Sequence, residues 1–200
     1  VDDPKAVAVS GTVAFVADGQ AGLKALRVAD PYDVTGVLVG AVPSDALADL
    51  SASFDSVAMG GPGLWTQTWS AMKGGSPPAS LSLGSSLPEE GPNVQAVATA
   101  GALRLFLNPN SLTGSLGAVD GSGTLIGSTV GGVDVAVTGH HALVAEGSSG
   151  NGGLLVVSLP DLLDVGSLDF PPSADGWTAT SVATDGRYAY VGVLGIQGGG

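Results

Sequence analysis

The stretch VAVSGTVAFVADGQAGLKALRVADPYDVTGVLV, residues 7–39, is the part of this 200-residue chain that determines its predicted fold. Short runs of small and β-branched residues alternate here with turn signals at Ser10-Gly11, Asp18-Gly19 and Asp30-Pro31. Glycine takes the positive φ that tight hairpin turns require, and proline lacks the N–H that a strand ladder needs. The stretch therefore predicts four short antiparallel strands, and its continuous apolar runs predict strands buried on both faces.

Fainter copies of this unit follow along the rest of the chain. The first hairpin turn recurs between two apolar runs near Asp55, Gly101, Gly139 and Gly186. The third strand recurs as well, and it opens with Gly-Leu at Gly22, Gly63 and Gly153. A unit of four strands that repeats every ~40–47 residues is typical of a propeller blade.

The repeat predicts an all-β fold, a β-propeller of four-stranded antiparallel blades, with about four and a half blades in this chain. The repeats lie near residues 5–44, 45–92, 93–131, 132–176 and 177–200, within a single domain. Because the last repeat contains only two strands and stacked repeats need neighbours, we expect the chain to be part of a larger ring. Helical repeats are disfavoured by 33 Gly and 12 Pro. A two-sheet sandwich explains the turns but not the recurring pattern.

The order of motifs in the first copy resembles the LVIVD-repeat family of bacterial and archaeal β-propellers. The resemblance is carried by residues 13–19 (VAFVADG), 22–23 (GL) and 28–31 (VADP). Parts of it return at residues 153–161 (GLLVVSLPD) and 188–191 (YAYV), whereas the second and third copies lack the Asp-Pro. The resemblance implies a propeller in a secreted or cell-surface setting. It implies no reaction, because its residues are strand and turn residues.

The composition argues against several classes of function. There are 18 Asp and Glu against 6 Lys and Arg, a net charge of −12, and the basic residues do not cluster. Binding to nucleic acid through its phosphates is therefore not expected. The absence of cysteine excludes disulfides, thiolate catalysis and zinc–thiolate sites. No uninterrupted apolar run reaches the length of about 18 residues that a membrane-spanning helix needs, so membrane insertion is not expected.

Two segments between the clear repeats carry local predictions. Residues 43–53 (PSDALADLSAS) have a helical pattern and are expected to link the first two repeats. Residues 79–83 (ASLSL) are expected to form a strand between two loops rich in Gly and Pro.

The candidate metal ligands are few and also suit turns. His140 and His141 are adjacent at a predicted hairpin turn, where neighbouring side chains point to opposite faces, and Glu146 adds one further ligand. A structural calcium ion is a second interpretation of the acidic turn residues, although the twelve-residue calcium loop is missing. These residues are Asp18, Asp30, Asp33, Glu146 and Asp120 in the sequence DGSG. No cofactor is expected, and calcium is kept only as a stabiliser.

Two tryptophans define the candidate ligand or partner surface. Trp65 and Trp69 lie four residues apart on one predicted strand, and Gln67 between them shares their face. Exposed rings beside an amide suit stacking on a sugar or contact with a protein partner. The alternative is that these side chains fill the core between the second and third blades. Trp177, beside a linker, allows the same two interpretations.

The repeated residues all serve strands or turns, and no nucleophile elbow, P-loop or dinucleotide fingerprint is present. This pattern favours a non-catalytic extracellular or cell-surface propeller that acts as a binding or assembly scaffold. Its expected partners are a protein or further copies of itself, and a glycan is a further candidate. The alternative is a hydrolase or lyase with its site in the propeller channel, for which the candidate residues are Asp18, Asp134 and His140.

Overall fold

The structure is a computed structural model that describes residues 3–10, 13–18, 23–27, 36–38, 49–52, 56–60, 64–68, 94–108, 116–120, 124–127, 131–147, 153–170 and 177–195. Within these ranges the chain forms strands, turns and connecting residues, and no helix is present. A helix of sufficient length and apolarity to cross a membrane is accordingly not found in the described part of the chain.

The described residues contain seventeen strands. The first seven are β1 (Ala6–Ser10), β2 (Val13–Ala17), β3 (Leu23–Arg27), β4 (Gly36–Leu38), β5 (Asp49–Ala52), β6 (Ser56–Gly60) and β7 (Leu64–Thr68). The next four are β8 (Ala96–Ala100), β9 (Leu103–Leu107), β10 (Leu116–Val119) and β11 (Leu125–Gly127). The last six are β12 (Asp134–Thr138), β13 (His141–Glu146), β14 (Gly153–Ser158), β15 (Asp164–Asp169), β16 (Trp177–Thr184) and β17 (Ala189–Gly195).

The strands form five antiparallel sheets in which each strand pairs with the next along the chain. Three sheets have four strands each, in the orders β1-β2-β3-β4, β11-β10-β9-β8 and β12-β13-β14-β15. The sheet β5-β6-β7 has three strands and the sheet β16-β17 has two among the described residues. These meanders are the sheets of propeller blades. We call them blades 1 to 5 in chain order, so that β1, β5, β8, β12 and β16 are the inner strands.

The chain divides into two compact units, Val1–Thr99 and Ala100–Gly200. In the first unit, Ala14 to Ala17 of β2 are all buried, as the continuous apolar run of this strand predicts. The inner strand β5 of blade 2 lies against β1 and β2 of blade 1. Blades 1 and 2 therefore contact each other through their inner strands.

In the second unit, the core lies where blade 5 packs on blade 4. Leu143, Ala145 and Leu154 of blade 4 form one buried cluster with Ala179 and Val182 of β16. The strand β16 lies against β12, β13 and β14. The second and third strands of one blade thus support the inner strand of the next.

Blade 3 contains a close contact between a glycine and an aromatic ring. Gly117 in β10 lies directly opposite Phe106 in β9, and both are buried. A Cβ atom at position 117 would overlap the ring carbons of Phe106. The ring therefore fills the space that a side chain at position 117 would need.

Two predictions from the sequence are wrong in part. Asp49–Ala52, inside the predicted helical linker, forms the strand β5, because pairing with β6 outweighs the weak helical pattern of this short segment. The strand β1 is not buried on both faces, because Val7 and Val9 are exposed while Ala6, Ala8 and Ser10 are half-buried. The predicted strand at residues 79–83 lies outside the described residues.

Candidate functional site

Asp134 begins β12 and connects two blades. Its Oδ2 atom accepts a 2.7 Å hydrogen bond from the backbone nitrogen of Val182 in β16, and its Oδ1 atom accepts one of 2.9 Å from the nitrogen of Val135. Burial raises the pKa of Asp134 above its usual value, and the two backbone hydrogen bonds oppose that rise. Both carboxylate oxygens of this enzyme candidate therefore have structural partners.

Asp49 repeats this arrangement in the first unit. It begins β5, and its Oδ2 atom accepts a 2.8 Å hydrogen bond from the backbone nitrogen of Val97 in β8. The separation in sequence is 48 residues, the same as between Asp134 and Val182. Beside it, the hydroxyl oxygens of Ser51 and Thr99 lie 3.2 Å apart. Blades 2 and 4 thus each hold the inner strand of the following blade with a carboxylate.

Asp18, the other acidic residue among the enzyme candidates, is fully buried at the end of β2. Its Oδ1 atom accepts a 2.7 Å hydrogen bond from the backbone nitrogen of Asp3, and the nitrogen of Lys5 donates to the carbonyl oxygen of Ala17. These two bonds fix the chain that leads into β1 along the end of β2. Asp18 therefore organises the entry to blade 1.

The histidines do not lie together with the acidic candidates of the second unit. His140 occupies the turn after β12, while Asp134 begins that strand, so the strand separates them by roughly 20 Å. His141 and Glu146 are the first and last residues of β13, and roughly 17 Å of strand lies between them. Neither pair can act on one substrate atom or bind one metal ion.

Two of the acidic residues that suggested a cation site, Asp120 and Glu146, lie within the described part of the second unit, whereas Asp30 and Asp33 lie outside the described residues. The Oδ1 atom of Asp120 accepts a 2.9 Å hydrogen bond from the nitrogen of Thr124, which closes the turn between β10 and β11. Burial, together with repulsion from Asp169 and Asp164, raises the pKa of Glu146. Within the described ranges, no group of three or more His, Asp or Glu residues could hold a metal ion.

The predicted tryptophan surface falls only partly within the described residues. Trp65 and Gln67 lie in β7, where they are the register partners of Met59 and Val57 in β6. Their side chains, and all of Trp69, lie outside the described part of the structure. The predicted surface therefore stays a prediction.

Blade 5 exposes Trp177, for which the sequence left both interpretations open, and two tyrosines that the sequence did not single out as a surface. Trp177 pairs with Gly195 and Tyr190 with Ala183, so the tryptophan lies at the other end of β16 from the tyrosines. Trp177 begins β16, Tyr188 precedes β17 and Tyr190 lies within it, and all three rings are exposed. The guanidinium of Arg187 lies 5.1 Å from the centre of the Tyr188 ring, within cation–π distance. The available signal was that tyrosines occupy positions in this copy where other copies have aliphatic residues, phenylalanine or histidine.

Asp185 fixes the turn that presents these tyrosines. Its Oδ1 atom accepts hydrogen bonds from the nitrogens of Arg187 and Tyr188, at 2.9 and 2.8 Å. Its Oδ2 atom accepts a 2.8 Å bond from the hydroxyl of Tyr190. These bonds, led by that of Tyr188, lower the pKa of Asp185, and the same hydroxyl contact raises the pKa of Tyr190.

A small cavity of about 360 Å³ lies among hairpin turns of blades 3 and 4 in the second unit. Its lining combines the apolar side chains of Leu103, Leu159 and Pro160 with exposed His140. The backbone nitrogen of Leu159 donates a 2.8 Å hydrogen bond to the carbonyl oxygen of His140, which ties two of these turns together. The cavity has the volume of a small-ligand pocket, but it contains one titratable group and no partner group for acid–base chemistry among its lining residues.

A family model, the LVIVD repeat, matches residues 3–31. This match confirms the resemblance predicted from the first copy, and it covers blade 1 from Asp3 through β3. No match to the sequence was found among curated proteins.

Solved structures similar to this chain are propeller-like, and they confirm the predicted β-propeller fold. The computationally designed Ika4 protein is 12% identical with a TM-score of 0.57, covering 80% of this chain and 92% of its own. Hydrazine synthase of Kuenenia stuttgartiensis is 12% identical with a TM-score of 0.66, covering 96% of this chain and 55% of its own. A protein from Lactobacillus plantarum is 16% identical with a TM-score of 0.67, and the match covers 96% of this chain and 64% of that protein. This chain therefore spans less than two thirds of the two natural structures, and the likeness concerns the fold.

Within the LVIVD repeat of blade 1, the turn and strand residues have structural roles. Asp18 holds the strand entry, and Phe15 and Leu23 are fully buried. The described carboxylates of the inner strands likewise hold backbone rather than converge on a common point. What the described surface offers instead is a set of exposed rings, which suits contact with another molecule.

Proposed function

We propose that this protein is a non-catalytic extracellular or cell-surface β-propeller that acts as a binding or assembly scaffold. The observation that carries the proposal is the pair of exposed rings on blade 5, Tyr188 and Tyr190. Tyrosine supplies a large, rigid contact surface with a polar tip, and it is enriched at sites of protein recognition. A turn fixed by Asp185 presents both rings at little cost in conformational entropy.

The state of the acidic residues supports a scaffold over an enzyme. Asp134 and Asp49 accept backbone hydrogen bonds from neighbouring blades, and Asp18 accepts one from the segment leading into β1. A general acid or base must reach substrate with a free lone pair or proton. The described partners of these carboxylates are backbone groups, and the separation of Asp134 from His140 removes the one acid–histidine pair that the sequence offered in the second unit.

The partner class that fits the surface is a protein or a glycan. Aromatic rings pack against the apolar faces of sugars and of protein side chains, and a net charge of −12 disfavours acidic partners. The extracellular or cell-surface setting is the one that the resemblance of the first copy to the LVIVD-repeat family implies. The surface predicted at Trp65, Gln67 and Trp69 belongs to the same proposal, as a second candidate contact.

Binding of the immobilised protein to a panel of purified cell-wall polysaccharides and cell-surface proteins tests the proposal. We expect at least one ligand to bind, and the double variant Tyr188→Ala/Tyr190→Ala to weaken it by about tenfold or more. Leu125→Ala, which removes an exposed side chain on β11, is the matched control and should bind as the wild type does. A second double variant, Trp65→Ala/Trp69→Ala, assigns the contact to blade 2 instead. Equal binding by all four proteins, or none by the wild type, would overturn the proposal.

Turnover measurements test the enzyme alternative on the same samples. Ester, glycoside and phosphodiester substrates should give no more product with the wild type than with Asp134→Asn or His140→Ala. A wild-type activity that either variant abolishes, while the variant keeps its far-ultraviolet circular dichroism spectrum, would contradict a non-catalytic scaffold.

A further inference from the structure

The part of the chain that contains blade 4 is acidic and has no lysine or arginine. None occurs between Arg104 and Arg187. The same stretch contains eight carboxylates: Asp120, Asp134, Glu146, Asp161, Asp164, Asp169, Asp175 and Asp185. A surface that carries charge of one sign attracts partners of the opposite sign, so this part of the protein favours a basic partner.

Two of these carboxylates lie in one row across blade 4. Glu146 of β13 pairs with Gly153 of β14, which pairs in turn with Asp169 of β15, and residues in one such row share a face of the sheet. Oε2 of Glu146 lies 3.2 Å from the position that a Cβ at Gly153 would take, and Cα of Asp169 lies 3.5 Å from the same point. The Glu146 carboxylate therefore occupies the space above the glycine, beside Asp169.

A third carboxylate, that of Asp164, lies on the same face. Asp164 pairs with Val157, whereas the preceding Val156 packs against the cluster that blades 4 and 5 share. Leu154, which precedes Val156 by two residues, belongs to that cluster too. Because side chains alternate along a strand, Gly153 and Val157 belong to the opposite face. The three carboxylates thus share the face of blade 4 that is turned away from blade 5.

The three charges act on one another. Burial, followed by repulsion from Asp169 and Asp164, raises the pKa of Glu146. The histidines of this blade lie at the opposite end of β13 and cannot supply the missing positive charge. A cationic group brought by a partner would relieve the repulsion.

Apolar side chains are exposed beside these carboxylates. The strand β15 is exposed along its whole length, and it is the last strand in its sheet. Val165 has no register partner on β14, because the bulge inserts it between Asp164 and Gly166, and it is 55% exposed. Leu163, just before the strand, is exposed as well. The surface therefore combines negative charge with apolar area along one extended strand.

We propose that Glu146, Asp164, Asp169 and Val165 form a surface that binds a basic, extended segment of a partner protein, in which lysine or arginine alternates with apolar residues. This inference rests on the proposed scaffold function and names a class of partner for it. Ammonium and guanidinium groups form charge-assisted hydrogen bonds with the carboxylates, and apolar residues cover Val165. Such a segment can lie along an outer strand.

Fluorescence anisotropy of a labelled peptide of alternating lysine and valine residues, titrated with the whole chain, tests the proposal. We expect saturable binding that weakens by about tenfold between about 50 and about 500 mM sodium chloride. Asp164→Asn/Asp169→Asn should weaken binding by about five- to tenfold, and Val165→Ser by about threefold. Asp120→Asn/Asp185→Asn removes the same charge from turns of blades 3 and 5, so this control should bind as the wild type does.

A second readout follows the surface itself. Bound peptide should lower the pKa of Glu146, as measured by NMR titration of its carboxyl group, because a cation beside a carboxylate favours the charged form. An unchanged titration of Glu146 in the presence of saturating peptide would contradict the assigned surface.

Three further results would overturn the proposal. The absence of saturable binding by the wild type rules out the basic partner, and it leaves the test of the scaffold function with polysaccharides and cell-surface proteins untouched. Equal weakening in the control variant shows attraction to the net charge alone. Equal binding of a peptide with glutamate in place of lysine excludes recognition of charge. If circular dichroism shows the Asp164→Asn/Asp169→Asn variant to be unfolded, the two single variants take its place, with a smaller loss expected from each.

Discussion

The Oδ2 atom of Asp134 accepts a 2.7 Å hydrogen bond from the backbone nitrogen of Val182, which lies 48 residues further along the chain in the next blade. Asp49 and Val97 repeat the relationship at 2.8 Å and the same separation. A strand N–H that points out of its own sheet needs an acceptor when it is buried. The carboxylates at the start of β5 and β12 supply that acceptor, and they connect consecutive blades.

Replacing Asp134 with alanine should destabilise the second unit. The nitrogens of Val135 and Val182 lose their acceptor, and a buried unsatisfied N–H costs about 1–3 kcal/mol. Urea denaturation measures the free energy of unfolding. Asp164→Ala is the matched control, because its exposed carboxylate accepts a hydrogen bond from the nitrogen of Gly166 within the same strand, β15. Equal losses in the two variants would show that the contact between blades contributes nothing.

The stability of the wild type should depend on pH through Asp134. Burial raises the pKa of its folded carboxyl above the unfolded value, so the folded protein binds the proton more tightly. The stabilisation that comes from this tighter proton binding is fully present below the unfolded pKa of Asp134. It is lost as the pH rises through the folded pKa. Melting temperatures from pH 3 to 7 should therefore show the wild type losing stability relative to Asp134→Asn as pH increases. A constant difference across this range would contradict the assignment.

Asp185 should give the opposite pH dependence. The hydrogen bonds from Tyr188, Arg187 and Tyr190 lower its pKa in the folded protein. Its contribution to stability is present above the unfolded pKa and is lost as pH falls through the folded pKa. The wild type should thus lose stability relative to Asp185→Asn on acidification. The two Asp→Asn variants serve as controls for each other, since each removes one negative charge and only the sign of the slope differs.

Two glycines of blade 3 should respond differently to alanine. A Cβ at Gly117 would overlap the Phe106 ring, and forcing the ring aside in a filled core typically costs about 1–3 kcal/mol. Gly127, in the same sheet, has no atom within 4 Å of its added Cβ, so alanine there should be neutral or slightly stabilising. Guanidinium denaturation of both variants measures the difference. Unchanged stability in Gly117→Ala would mean that the ring does not occupy that space.

The blades can be predicted from the sequence because their signals are local. Turn glycines such as Gly139 and Gly186, with φ of 56° and 87°, mark the hairpins directly. Apolar runs such as Ala14 to Ala17 mark strands that are covered on both faces. Both kinds of signal lie within a few residues of the structure that they predict.

The candidate site is harder to predict because burial depends on distant segments. The runs around Val7 and Val135 look alike in sequence, yet one valine is exposed and the other is buried by neighbouring strands. An aspartate before an apolar strand, such as Asp134, looks like a solvated turn residue. Its sequence neighbours do not show that it accepts a hydrogen bond from Val182, 48 residues further along the chain. Tyr190 is likewise exposed where the equivalent Leu143 of blade 4 is buried, and no pattern within β17 predicts that difference.

Amide hydrogen exchange at Val182, followed by NMR, tests most directly whether the carboxylates of the inner strands hold neighbouring blades together. In the wild type this amide should be protected, since its described acceptor is Oδ2 of Asp134. In Asp134→Ala it should exchange at least about tenfold faster, while the amide of Val144 in the central strand β13 keeps its protection. Unchanged protection at Val182 in the variant would contradict the contact, and equal loss at Val144 would show general unfolding instead.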